Sequence, residues 1–86
     1  MSYSVRWEPD ALKLLDSLPK EISIRIIKKV ESIKYLPFHY MQHYEGEKVY
    51  KLRVGDYRAL VDVDFSNKVL IIRVLDHRKR IYKRGF

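Results

Sequence analysis

The 86-residue chain contains no cysteine, which excludes disulfides and thiolate metal sites. Glycine and proline are sparse, three of each, and no internal repeat or low-complexity tract appears. No apolar run exceeds four residues, the longest being Val69–Ile72; a membrane-spanning helix needs roughly 20. The opening "MSYSVRWEP" lacks the apolar stretch of a signal peptide. Walker-type loops, HExxH and GxSxG are also missing, so nucleotide-loop, zinc-protease and serine-hydrolase chemistries have no support. These absences leave a soluble cytoplasmic protein, without a membrane partner, as the expectation.

What is present is a core and a strong positive charge. Hydrophobic residues make up 47% of the chain, enough for one folded domain spanning residues 1–86. The formal net charge is +7. It is unevenly spread: residues 1–44 carry +2, residues 45–86 carry +5, and residues 77–86 alone carry +5. A lopsided basic field suits a polyanionic partner, whether nucleic acid, an anionic membrane or an acidic protein. It also suits plain solubility.

The pattern along the chain predicts an α+β domain. In "SYSVRW", Tyr3, Val5 and Trp7 alternate with polar residues, as in a strand with one buried face. Pro9 fits a helix first turn, and Ala11, Leu12, Leu15 and Leu18 come after it at helical spacing. Pro19 ends that helix and begins another, with Ile22, Ile26, Ile27, Val30 and Ile33 as its apolar stripe. The second helix is expected to stop before Pro37. Residues 37–47 read as a loop containing Phe38, Tyr40 and Tyr44. Three strands come next through tight turns: "KVYKLRVG", "DYRALVDVD" and "NKVLIIRVLD". Short connections imply an antiparallel meander. The expected order is thus an N-terminal strand, a helical hairpin, then a three-stranded antiparallel meander packed against the helices.

Strand alternation supplies the first functional candidates. Tyr50, Leu52 and Val54 point one way, and Val49, Lys51 and Arg53 the other. In the next strand Tyr57, Ala59, Val61 and Val63 oppose Arg58, Leu60 and Asp62. Lys51, Arg53 and Arg58 can therefore share one surface, either as an anion site or as a solvated sheet face balanced by Asp62 and Asp64. In the last strand, Val69, Ile71, Arg73 and Leu75 are assigned to one face, and Leu70, Ile72 and Val74 to the other. Arg73 interrupts that pattern, either as a paired structural arginine, the favoured reading, or as another part of the basic surface. His39 and His43 read as ordinary loop histidines without a third metal ligand. His77 has two readings, acid–base work or a strand-end histidine bonded to backbone, and the second is the simpler. Lysine, arginine and tyrosine together suit cleavage of an RNA phosphodiester: charge for the phosphorane, a guanidinium fork for phosphate oxygens, and a ring to stack on a base.

The segments "VRWEPDALKLLDSLPKEISIRIIKKVESI", "YKLRVGDYRALVDVD" and "VLDHRKRIY" resemble the RelE/ParE superfamily of toxins from type II toxin–antitoxin pairs, over nearly the whole chain. The resemblance implies a RelE-like fold and a ribosome-dependent endoribonuclease that cuts mRNA and inhibits translation without metal or other cofactor. It also implies a RelB-like antitoxin partner, with an oligomeric toxin–antitoxin complex. By this resemblance Lys51 is a catalytic base or charge stabiliser, and Arg58 stabilises the transition state. Arg78 binds phosphate and assists the leaving group, and Tyr82 orients or stacks on the nucleotide. Arg53, Lys48, His77, Lys79, Arg80, Lys83 and Arg84 are the expected RNA contacts. There are departures: Val49 stands where RelE toxins often carry a lysine, the Arg78–Tyr82 spacing is short, and Arg80 is an alternative to Arg78. ParE-type members, which share the fold, poison DNA gyrase and lack most of this set.

Overall fold

The fold is taken from a computed structural model that describes residues 2–44 and 49–84. Its elements are β1 (Ser4–Trp7), α1 (Pro9–Ser17), α2 (Lys20–Ser32), the single-turn α3 (Pro37–Tyr40), β2 (Met41–His43), β3 (Val49–Val54), β4 (Tyr57–Asp64), β5 (Val69–His77) and the short α4 (Ile81–Arg84). The strands form one five-stranded sheet in the order β1-β5-β4-β3-β2. β1 runs parallel to β5, the last strand in chain order, and the other pairings are antiparallel. The expected α+β meander is there, extended by one strand on each side.

Pro9 occupies the first turn of α1, where its missing N–H costs nothing. Pro19 caps α2 and its carbonyl accepts from Ile22 and Ser23. The inward face of the hairpin is Ala11, Leu15, Ile26, Val30 and Ile33, which pack on Leu52, Val54, Ala59, Val61, Leu70, Ile72 and Leu75 from the sheet. The helical stripe is narrower than its sequence suggests: Leu12 and Ile27 are exposed.

Two expectations are corrected. Residues 37–47 read as a loop in sequence, yet Met41, Gln42 and His43 pair with Leu52, Lys51 and Tyr50 as an edge strand. Met41 is buried while Gln42 and His43 face outward. Three residues are too few for alternation to register in sequence, and Pro37 at the head of a single turn masks it. The second correction concerns β5. Leu60 pairs with Val74 but Val61 pairs with Ile72. The bulge leaves Arg73 without a partner residue and reverses the facing of the strand beyond it. Leu75 therefore joins Leu70 and Ile72 in the core rather than the opposite face. Arg73 itself ion-pairs with Asp62 at 2.7 Å. That hydrogen bond, reinforced by the charge of Asp62, raises the guanidinium pKa above its ordinary value, in keeping with a structural arginine.

Leu60 and Ile81 are fully buried but lie outside the main core cluster. Leu60 is on the sheet face away from the hairpin, so this second face is partly covered too. The C-terminal segment turns back after β5, with the Arg78 N–H donating to the Asp56 carbonyl at 2.7 Å and the Arg80 N–H to the His77 carbonyl at 2.9 Å. Ile81 is then buried, and its neighbour Tyr82 remains half-exposed at the sheet surface.

Candidate functional site

The site is built on the second face of the sheet. Register sets two rows across it. In one, Gln42, Lys51, Leu60 and Val74 lie side by side on β2, β3, β4 and β5; in the other, Arg53, Arg58 and Asp76 lie on β3, β4 and β5. Between the cations of these rows and α4 is a cleft of about 320 Å³, lined by Tyr40, Gln42, Lys51, Arg53, Arg58 and Tyr82. No carboxylate or imidazole lines it among the described residues.

Each lining group is held differently. Arg58 is 8% exposed, and its Nη1 donates to the carbonyls of Gly55 and Tyr57, both at 2.8 Å. The β3–β4 turn thus grips the guanidinium from its own backbone. Asp76, buried at 4% exposure, stands opposite Arg58 in register. Its Oδ1 accepts from the His77 N–H at 2.7 Å and from Arg80 Nε at 3.1 Å. Lys51 Nζ lies 5.4 Å from the Tyr82 ring centroid and 5.9 Å from that of Tyr44. These two rings meet edge-on at 6.0 Å. The amine therefore lies within cation–π reach of two rings.

Of the residues singled out in the sequence, Lys51, Arg53, Arg58 and Tyr82 come together in the cleft. Arg78 does not line it; its Nε is 3.7 Å from Asp56 Oδ1, an exposed pair at the β3–β4 turn. Arg80 is tied to Asp76. His77 packs edge-on against Tyr57 at 5.5 Å, and its Nδ1 accepts from the Lys79 N–H at 3.1 Å, close to the strand-end reading. Lys79 and Lys83 are exposed away from the cleft wall, and Arg84 closes α4. Lys48 lies outside the described residues. Two lining residues were not singled out in the sequence: Gln42, and Tyr40, which was placed only in a loop. The one available signal was the apolar–polar step from Met41 to Gln42.

His39 and His43 contact the rings of Tyr40 and Tyr50 at 4.8 and 5.0 Å. Among the described residues no group of three or more His, Asp or Glu side chains could hold a metal ion. No described helix is long and apolar enough to cross a membrane.

A basic cleft with aromatic walls on a five-stranded RelE-like sheet defines a class, and comparison with known proteins agrees. The toxin–antitoxin complex RelBE2 of Mycobacterium tuberculosis superposes with a TM-score of 0.81 at 25% identity, covering 91% of this chain and 100% of that one. The archaeal RelE–RelB complex of Pyrococcus horikoshii OT3 gives 0.76 at 30% identity, covering 93% and 99%. The chromosomal ParDE system of P. aeruginosa, at 18% identity and TM-score 0.68 over 88% and 96%, shares the fold. No curated protein matches by sequence. The class is the RelE/ParE superfamily of type II toxins. Within it, the model that matches describes the ParE toxin of the type II toxin–antitoxin system parDE, over residues 5–81, and the chain belongs to that family.

Proposed function

We propose that this toxin is an endoribonuclease that cleaves mRNA on the ribosome and so inhibits translation. The observation that carries the reading is the convergence of Lys51, Arg53, Arg58 and Tyr82 on one cleft. Its chemistry suits phosphodiester cleavage by the neighbouring hydroxyl. The 2′-oxygen bonds to the adjacent phosphorus as the bond to the 5′-oxygen breaks. The 2′-hydroxyl gives up its proton, the 5′-oxygen gains one, and the products are a 2′,3′-cyclic phosphate and a 5′-hydroxyl end.

The described lining offers lysine, arginine, tyrosine and glutamine side chains, so the proposed rate enhancement is assigned to charge and positioning. Arg58, fixed by two carbonyls, presents its guanidinium to the phosphorane oxygens. Lys51 holds charge beside the reacting oxygens and is the candidate proton carrier. Tyr82 stacks on the base, and Arg53 holds a neighbouring phosphate. Arg78, paired through Nε with Asp56, lies outside the cleft lining.

The RelB-bound relatives support a second element, an antitoxin of RelB type; in this reading it covers the basic face of the toxin, and the complex is oligomeric and cytoplasmic. Primer extension on transcripts from cells expressing the toxin tests the enzymatic reading. Cuts within coding regions, absent with Arg58→Ala, are expected; intact transcripts alongside arrested growth would refute it. The ParE family match favours one other reading, inhibition of DNA gyrase without RNA cleavage. Loss of supercoiling activity on adding the purified toxin would support that reading instead.

A further inference from the structure

A second basic groove adjoins the cleft. It has a volume of about 440 Å³ and is lined by Arg25, Lys28, Lys29 and Ser32 of α2 together with Arg53, Val54 and Gly55 at the end of β3. Four of these residues are cationic, one offers a hydroxyl, and none is acidic. Two contacts join groove to cleft. Arg53 lines both. Lys29 of the groove lies 4.8 Å from the ring centroid of Tyr40, which lines the cleft.

Gly55 shapes the groove floor. Its φ is +59°, and a Cβ there would come within 3.2 Å of the Arg25 guanidinium. That guanidinium is thus held against the backbone of the same turn whose carbonyl fixes Arg58. The turn carries one cation for the cleft and abuts another in the groove.

We infer that this groove is a backbone track: it binds the phosphodiester chain of the RNA beyond the nucleotide held in the cleft, handing it over at Arg53. The lining decides the ligand class. An amphipathic antitoxin helix needs an apolar floor, and Val54, the one apolar side chain lining the groove among the described residues, is buried. Repeating anionic phosphates match a row of two lysines and two guanidiniums with no base-specific donor pattern. The inference rests on the ribonuclease reading for the contents of the cleft, but it makes its own prediction about length.

The test uses full-length toxin and fluorescently labelled, uncleavable 2′-deoxy oligonucleotides of three and nine nucleotides, with affinity measured by anisotropy over a salt series. Lys28 lies on the exposed face of α2 and outside the cleft, so Lys28→Ala should leave the fold intact. Circular dichroism of Lys28→Ala and a matched Lys13→Ala control checks that. With Lys28→Ala, nine-nucleotide affinity should fall several-fold and the logarithmic salt slope should drop by about 0.7, the value for one lost contact on a single strand. Trinucleotide affinity and the Lys13→Ala control should not move. Equal affinity and slope for the nine-nucleotide strand in wild type and Lys28→Ala would overturn the track, as would equal losses for both lengths. Weakened binding of the antitoxin alone would assign the groove to that protein and overturn it too. Failure of the cleft reading is distinguishable: trinucleotide binding would then be insensitive to Arg58→Ala.

Discussion

Arg53 and Arg58 face one another directly across the β3–β4 ladder. Like charges in that position are destabilising, and the fold meets the cost on one side only. Arg58 is buried against two carbonyls and lies opposite Asp76. Arg53 is exposed, between cleft and groove. An anion seated between the two relieves the repulsion. Inorganic sulfate or phosphate is therefore expected to raise the melting temperature of wild-type toxin, and to raise that of Arg53→Ala less. Scanning calorimetry at constant ionic strength reads the difference.

Arg58→Ala is expected to reduce mRNA cleavage by about 100-fold or more, the scale for losing one charge-stabilising donor. Arg58→Lys should not rescue it, because an ammonium lacks the further planar donors that can reach phosphate while Nη1 donates to both carbonyls. Single-turnover cleavage on programmed ribosomes measures both.

Tyr82→Ala and Tyr82→Phe separate ring from hydroxyl. The ring contacts Tyr44 and stands over Lys51. Stacking on a base is worth about 1–3 kcal/mol, so Tyr82→Ala should weaken binding of an uncleavable oligonucleotide by about that amount. Tyr82→Phe should bind nearly as well as wild type. Equal losses for the two would place the function in the hydroxyl.

Gly55→Ala meets two obstacles, a positive φ and the Arg25 guanidinium. A side chain in the left-handed region costs about 1–2 kcal/mol, and urea unfolding should show at least that loss. Arg25→Ala in the same background should recover part of it by removing the contact, while the cost of the positive φ remains.

The β4–β5 turn gives a pH-dependent prediction. Asn67 donates from its side chain and its backbone N–H to the two oxygens of Asp64, at 2.9 and 3.0 Å. These bonds, the side-chain one first, lower the Asp64 pKa below 3.8. A folded-state pKa below the unfolded one stabilises the protein above the unfolded value, and that stabilisation is lost as pH falls through the folded one. Carboxyl NMR titration should find Asp64 below 3.8 in wild type and higher in Asn67→Ala, whose stability should depend less on pH in that acidic range.

The sequence alone determined a good deal. Helical spacing from Ala11 to Ile33, broken at Pro19, and alternation from Tyr50 to Val63 are local signals, carried by period and by proline. They suffice for the hairpin, the meander and the common facing of Lys51, Arg53 and Arg58. Tertiary structure decided what depends on contacts between distant segments. Met41–His43 became a strand because β3 offered an edge, and Leu75 turned inward because a bulge at Arg73 shifted the register. The basic tail divided in the same way. Burial of Ile81 brings Tyr82 to the cleft, while Asp56 and Asp76 draw Arg78 and Arg80 elsewhere. Charge count cannot foresee that division, because each tail cation is assigned by the carboxylate or cavity the folded chain sets beside it.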